Sequence, residues 1–344
     1  MPEQMFNRSF SIDGKPVGEG APVYVIAEAG ISHFGDENKA YQLVDMAVEA
    51  GADAVKFQVY DVEELMTRDM TEWRDRLGPR QLDYDAFKRL QDYCKTKDIT
   101  FFATAHDEKS LAFLAEIDVP LYKIGSGEVG NWAFLQKVAS LGKPLIFSVG
   151  MYDFDDIQAA IDAVAETGNK DLAVLHCVTK YPTEPELVNL GNMRVITDNF
   201  NVITGYSDHT RGYHIPLAAV AMGAQIIEKH ITIDYDIPNA QDWKVSCGPD
   251  NLGLFMSELR QIEQALGSND FAAKNVERGS IEWATKSLVT VSDLARGHKL
   301  CADDLAAKRP GNGIKPAQIE NVIGKVLTCN VGADEQISWD MFNE

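Results

Sequence analysis

Eight short apolar runs, rich in Val and Ile, constrain this chain more than any other feature, because each ends in polar or ionisable residues and is followed by a stretch with helical periodicity. They occupy residues 23–30, 54–58, 100–105, 121–128, 144–150, 172–178, 202–207 and 226–233. Runs of this length suit strands buried on both faces, as parallel strands flanked by helices must be. Between them, residues 39–50, 84–97, 109–117, 155–166 and 251–265 repeat apolar side chains near the 3.6 period of an amphipathic helix. Asp36 stands where a helix N-cap is wanted, and Gly51, Gly142 and Gly168 stand just past helix ends. The alternation predicts an α/β fold, a (β/α)8 TIM barrel.

The strand C-termini of such a barrel form its active-site face. Here they carry Glu28, Lys56, Gln58, Thr104, His106, Lys123, Ser126, Glu128, Ser148, Tyr181, Ser207, Asp208, His209, Glu228 and His230. A barrel takes about 250 residues, and the chain has 344. The expected division is a barrel over residues 1–266, a linker over 267–284 and a small β-rich module over 285–344. Stretches 285–290, 299–300, 306–309, 322–327 and 336–338 are the module's strand-like segments. Residues 1–22 contain Asp13-Gly14, a hairpin turn signal, and are expected to plug the N-terminal end of the barrel.

Composition narrows the function. With 32 basic and 52 acidic residues the net charge is −20, which disfavours nucleic acid and anionic membrane as partners. No apolar stretch reaches the ~18 residues of a membrane span, and the first ten residues lack the apolar core of a signal peptide; a cytoplasmic location is expected. Five scattered cysteines without a CxxC pair argue against a disulfide framework or a thiolate zinc site.

An unpaired ammonium is costly inside an apolar strand, so Lys56 and Lys123 must each meet something anionic. One reading pairs them internally with Glu28, Glu128 or Glu228. The other makes them receptors for phosphate and carboxylate, helped by the hydroxyls of Thr104, Ser126 and Ser148 and by backbone N–H groups around residues 125–127. His209 and His230 close two consecutive strands and would lie side by side, with Asp208, Glu228 and Glu28 near; imidazole with oxygen ligands suits Mn²⁺, Fe²⁺, Co²⁺ or Mg²⁺. His33, His106 and His176 are secondary candidates, whereas His214 and His298 read as structural. Glu28, Glu128 and Asp242 are available as general acid or base.

Taken together, VIAEAGISHFGD, GADAVKFQ, YKIGSGE, LHCVTKYP, GYSDHT, IIEKHIT and RPGNGI resemble the sialic acid (N-acetylneuraminate) synthase family over nearly the whole chain. The C-terminal module resembles that family's SAF, or antifreeze-like, domain. The resemblance implies condensation of phosphoenolpyruvate with an open-chain, N-acetylmannosamine-like amino sugar, giving a nine-carbon 2-keto-3-deoxy acid and phosphate. It implies that Lys56, Thr104, Lys123, Ser126, Ser148 and Ser207 hold phosphoenolpyruvate. His209 and His230 would hold a divalent metal, Mn²⁺ first, with Mg²⁺ or Co²⁺ as alternatives. Glu28, Tyr181 and Asp242 match sugar-side and metal-side positions, and Glu128 an acid/base. Arg309 matches an arginine that the SAF domain of a domain-swapped homodimer presents to the partner's sugar. Departures fall mostly on the sugar side: Ser32 and Phe34 flank His33, Ala105-His106 replace Pro-Phe, Thr179 replaces Asn or Ser, and NAQDWK stands at 239–244. Two other readings remain open: a metal-dependent aldolase or sugar isomerase on the same scaffold, and a non-catalytic sugar or anion binder.

Overall fold

A computed structural model describes residues 5–267 and 277–343. The chain divides into two compact units, Met1–Gly267 and Ser268–Glu344.

In the first unit, two short strands, β1 (Ser9–Ile12) and β2 (Lys15–Gly18), precede eight parallel ones: β3 (Tyr24–Gly30), β4 (Ala54–Val59), β5 (Thr100–Ala105), β6 (Tyr122–Ile124), β7 (Leu145–Ser148), β8 (Leu172–Cys177), β9 (Ile203–Asp208) and β10 (Ile226–His230). These eight close into a barrel in chain order, with β10 returning to pair with β3. The expected TIM barrel is the observed fold. Successive residues of a strand face opposite sides, so Glu28, Lys56, Thr104 and Lys123 look inward while their neighbours pack against helices. The register sets Glu28 beside Lys56, Thr104 beside Lys123, and His230 beside Glu28.

Helices cover the barrel where the periodicity placed them, at Glu37–Ala50, Tyr84–Thr96, Glu108–Glu116, Phe154–Ala165 and Leu252–Leu266. Asp36 caps the first by accepting from Asn38 N, and Gly51 ends it with φ 79°. Three helices that the apolar pattern did not single out, Trp132–Ala139, Gly191–Phe200 and His214–Ala221, complete the cover. The last helix is tied to the start of the barrel: Arg260 donates to Val23 O (2.8 Å) and to Asp53 Oδ2 (3.1 Å), and Glu263 accepts from Val23 N.

The β1–β2 hairpin turns at Asp13-Gly14, both at positive φ. It buries Phe6, Ile12 and Val17 and meets segments that begin strands: Lys15 reaches Asp53 O, Asn7 N donates to Lys170 O, and Gly18 packs on Ile203. It therefore closes the N-terminal end of the barrel. Gly205 marks a point of tight strand packing, since a Cβ there would press into the Ile226 carbonyl oxygen and lie 2.6 Å from Leu175 Cδ2. The first is backbone, and the Leu175 methyl is fully buried with no open space to turn into. Gly205→Ala is expected to destabilise the first unit by about 3 kcal/mol, read as a lower urea midpoint; an unchanged midpoint contradicts this packing.

The second unit pairs β11 (Ser287–Thr290) antiparallel with β12 (Leu305–Lys308) around a core of Leu288, Leu300, Ile314, Val322, Leu327 and Ile337. The stretches at 299–300, 322–327 and 336–338 form isolated bridges rather than strands, because turns interrupt them before a ladder can extend. Of the segment 267–284, expected as a linker, residues 268–276 lie outside the described residues. Its end is not linker: Arg278–Ala284 is helical, anchored where Gly311 N donates to Glu282 O at 2.8 Å.

Candidate active site

The inward-facing strand ends enclose a cavity of about 200 Å³. At its centre two buried ammoniums meet two buried carboxylates. Lys56 Nζ lies 2.9 Å from Glu228 Oε2 and 3.4 Å from Glu28 Oε2, and Lys123 Nζ lies 3.8 Å from Glu228 Oε2. The internal pairing weighed from the sequence therefore holds for Glu28 and Glu228.

Hydroxyls surround this cluster. Lys56 reaches Thr104 Oγ1 at 3.4 Å, and Lys123 donates to Ser148 Oγ (2.5 Å) and Ile124 O (2.9 Å). Ser207 Oγ donates to Glu228 Oε1 at 3.0 Å, while Ser126 Oγ accepts from Gly150 N at 2.9 Å. Burial raises the Glu28 carboxyl above its usual range despite the pull of Lys56, and Glu228 pushes it the same way. Burial likewise lowers the Lys123 ammonium against the attraction of Glu228. For Glu228 burial acts upward, but Lys123 and Lys56 outweigh it and hold that carboxyl low. One carboxylate is thus a firm counter-ion and the other is readily protonated.

The two histidines stand together beside this cluster, ring centroids 5.3 Å apart. A carbonyl only accepts, so His209 Nδ1, 2.7 Å from Val178 O, carries a proton, and whenever the imidazole is neutral Nε2 keeps its lone pair. Tyr181 donates to that Nε2 at 2.7 Å, its ring 3.9 Å from the imidazole. His230 Nδ1 is buried without a hydrogen-bond partner among the described residues, and burial, with His209 close by, drives that imidazole toward its neutral form. A neutral imidazole with an orphaned nitrogen, beside another with a directed lone pair, is a donor set that fits a divalent cation. Among the described residues no three His, Cys, Asp or Glu side chains converge tightly enough to hold one. The other coordination positions would fall to substrate oxygens and water.

Asp242 opens the short helix Asp242–Val245 in the loop after β10, half-buried and near enough to feel His209, Arg80 and Arg76; burial raises its carboxyl. Arg80 ties this loop down, donating to Asn239 O at 3.0 Å with its guanidinium 5.2 Å over the Phe34 ring.

Of the assigned residues in the first unit, Glu128 and Asp242 are not among those lining the cavity. Glu128 ends a 3-10 turn, Ser126–Glu128, that returns the serine to the cavity and carries the glutamate past it to accept from Asn131 Nδ2 at 2.7 Å. The structure does not place it among the groups lining the cavity. Arg309 belongs to the second unit, its guanidinium 5.1 Å over the Trp283 ring. Conversely, Gln58, Cys177 and Thr179 line the cavity without having been assigned a role, as do His106, a secondary metal candidate, and Glu228, weighed only as a charge partner. Glu228 was legible, since it lies two residues before His230 in one strand and so on the same face.

His33 is buried outside the cavity, its Nδ1 accepting from Gly35 N at 3.1 Å, and burial lowers its pKa to about 4. The unfolded chain protonates this imidazole as pH falls below about 6.5, whereas the folded protein resists until about 4. Its contribution to stability is therefore complete above pH 6.5 and is lost as pH falls toward 4, at up to about 1.4 kcal/mol per pH unit. His33→Asn, whose amide oxygen can still accept from Gly35 N, is expected to remove that slope in urea unfolding between pH 7 and pH 5. Parallel curves for parent and variant would refute a neutral buried His33.

The NeuB family model matches residues 43–271, and the SAF domain model matches residues 285–343. The N,N'-diacetyllegionaminic acid synthase of Campylobacter jejuni is 38% identical over 328 residues, covering 91% of this chain and 98% of that protein. The human N-acetylneuraminate-9-phosphate synthase is 33% identical over 341 residues, 94% of each chain. A solved N-acetylneuraminic acid (sialic acid) synthetase from Leptospira borgpetersenii superposes with a TM-score of 0.74 at 34% identity, over 80% of this chain and 95% of that one.

Proposed function

This chain belongs to the NeuB family, and on that premise we propose that it is a nonulosonic acid synthase joining phosphoenolpyruvate to an open-chain acylamino-hexose. The observation that carries the reading is the convergence of Lys56, Lys123, His209 and His230 on one small cavity. Two ammoniums and four hydroxyls suit a three-carbon enol ester bearing phosphate and carboxylate. Because Glu28 and Glu228 neutralise those ammoniums in the free protein, the anion enters as Glu28 takes up a proton. Glu228 remains charged and keeps both lysines cationic.

His209 and His230 would hold a divalent cation, Mn²⁺ by the donor set or Mg²⁺ or Co²⁺ in its place, which supplies Lewis-acid polarisation of the sugar aldehyde when bound. Tyr181 and Asp242 flank that position and orient the sugar. The enol carbon of phosphoenolpyruvate bonds to the aldehyde carbon as the C=O π pair moves onto the aldehyde oxygen, which takes the proton held by Glu28, and positive charge develops at the adjacent carbon. Water adds there, its proton passing to Glu28 once that carboxyl is again ionised. The resulting tetrahedral centre expels phosphate, whose charge Lys56 and Lys123 stabilise. We further read the chain as a homodimer in which Arg309 serves the partner subunit's sugar site; the match of residues 285–343 to the SAF domain supports that reading.

The test is phosphate release from phosphoenolpyruvate in the presence of Mn²⁺ and a panel of acylamino-hexoses. Release that depends on one sugar supports the proposal. Turnover of a sugar without phosphoenolpyruvate would instead favour an aldolase or isomerase, and ligand-induced stabilisation without product a binding protein. Within that assay Glu28→Gln is expected to lose about a hundredfold or more in kcat, while Glu128→Gln stays within a few-fold of the parent. The reverse order would restore Glu128 as the acid/base.

A further inference from the structure

A second pair of buried charges lies on the outer face of the barrel, directly behind the two histidines. Asp208 and Lys229 are neighbours across β9 and β10, and each immediately precedes a histidine in sequence. Because side chains alternate along a strand, Ser207, Glu228 and His230 face the cavity while Asp208 and Lys229 face the helices. Both are fully enclosed, with side-chain exposures of 0% and 1%. Lys229 Nζ donates to Asp208 Oδ2 at 2.5 Å and to Thr210 O at 3.0 Å. The other oxygen, Asp208 Oδ1, accepts from Tyr206 Oη (2.9 Å), Thr210 Oγ1 (2.8 Å) and Thr210 N (3.1 Å).

A buried ion pair is a poor device for stability, because desolvating both charges offsets most of their attraction and a well-packed apolar pair often does as well. What this one does is geometric. Lys229 grips the segment on both sides of His209, through Asp208 and through Thr210, while its own backbone leads into His230. The ammonium thus pins the carrier of one imidazole to the carrier of the other.

We propose that Asp208 and Lys229 are positioning residues that hold the His209 and His230 imidazoles at their mutual spacing. The proposal rests on the reading of those histidines as cation ligands, and it concerns only this chain's own side chains. Supporting shells of this kind typically carry a roughly 10- to 100-fold effect on metal affinity.

The test uses the full chain with Asp208→Leu and Lys229→Met combined, which removes both charges and leaves no unpaired one. Three quantities are read on metal-free protein: the melting temperature, Mn²⁺ affinity by calorimetry, and the ¹⁵N shifts of the histidine rings. The expected result is a folded variant melting near the parent, with Mn²⁺ affinity lowered at least about tenfold and altered ring signals for His209 and His230. A folded variant with Mn²⁺ affinity within twofold of the parent and unchanged ring signals overturns the proposal and leaves the pair a packing feature. If the double variant does not fold, Tyr206→Phe, which removes one hydrogen bond to Asp208, and Lys229→Arg, which keeps the charge, decide the matter. A loss of a few-fold in the first with retention in the second supports positioning; no change in the first overturns it. A parent that binds no Mn²⁺ refutes the cation reading, and the ring signals of the variant then decide positioning alone.

Discussion

Lys56→Met is expected to lower kcat/KM by about a thousandfold or more, and to destabilise the barrel more than Lys123→Met does. The first effect follows from losing one of the two positive charges available to a phosphate in a cavity lined by buried side chains. The second follows from connectivity. Lys56 bridges Glu28 and Glu228, at 3.4 and 2.9 Å, whereas Lys123 approaches only Glu228, at 3.8 Å. Removing Lys56 leaves two enclosed carboxylates facing one another, and breaking a buried pair on one side costs about 3–5 kcal/mol. Part of that cost is relieved if Glu28, already inclined to hold a proton, becomes neutral. Removing Lys123 leaves Glu228 with Lys56 and with Ser207. Urea unfolding and steady-state kinetics with phosphoenolpyruvate check both effects. A larger loss of stability at Lys123, or activity within tenfold of the parent in either variant, would refute the assigned charge arrangement.

His230→Ala is expected to separate function from stability more sharply. A direct ligand should matter at least as much as the supporting groups around it, so a loss of about a hundredfold or more in Mn²⁺ affinity is expected, with activity falling in step. Stability should hold or rise, because the variant removes Nδ1, a buried nitrogen without a partner among the described residues. Parent protein stripped with a chelator should lose phosphate release and recover it on addition of Mn²⁺. A variant that unfolds more easily than the parent while keeping its metal affinity would invert the role assigned to this imidazole.

The barrel was legible because parallel strands sheltered on both sides leave long apolar signatures, and the ionisable residues ending them could only face the open rim. Lys56, Lys123, His209 and His230 followed from that rule alone. The rule failed where a strand stopped early. Residues 121–128 read as one run, but β6 spans only Tyr122–Ile124, and the turn after it sends Ser126 inward and Glu128 away. Glu228 was one of three acids weighed as partners for the lysines, and only the register, which brings Lys56 to face it, singles it out from Glu128. Arg278–Ala284 escaped notice because a seven-residue helix with no buried side chain carries no periodic stripe. In the second unit, single bridges between short segments depend on contacts far apart in sequence, which no local pattern records.

Closure of the barrel by β10 against β3 joins residues near position 226 to residues near position 24. During synthesis, seven strands must therefore wait for the eighth, exposing the hydrogen-bonding groups of β3 and β9 as open edges until some 230 residues have left the ribosome. Arg260 and Glu263, which lock the final helix onto Val23 and Asp53, arrive later still. The nascent chain thus passes through a long interval in which a second nascent copy could pair with it, and its dependence on folding assistance should be greatest in that window.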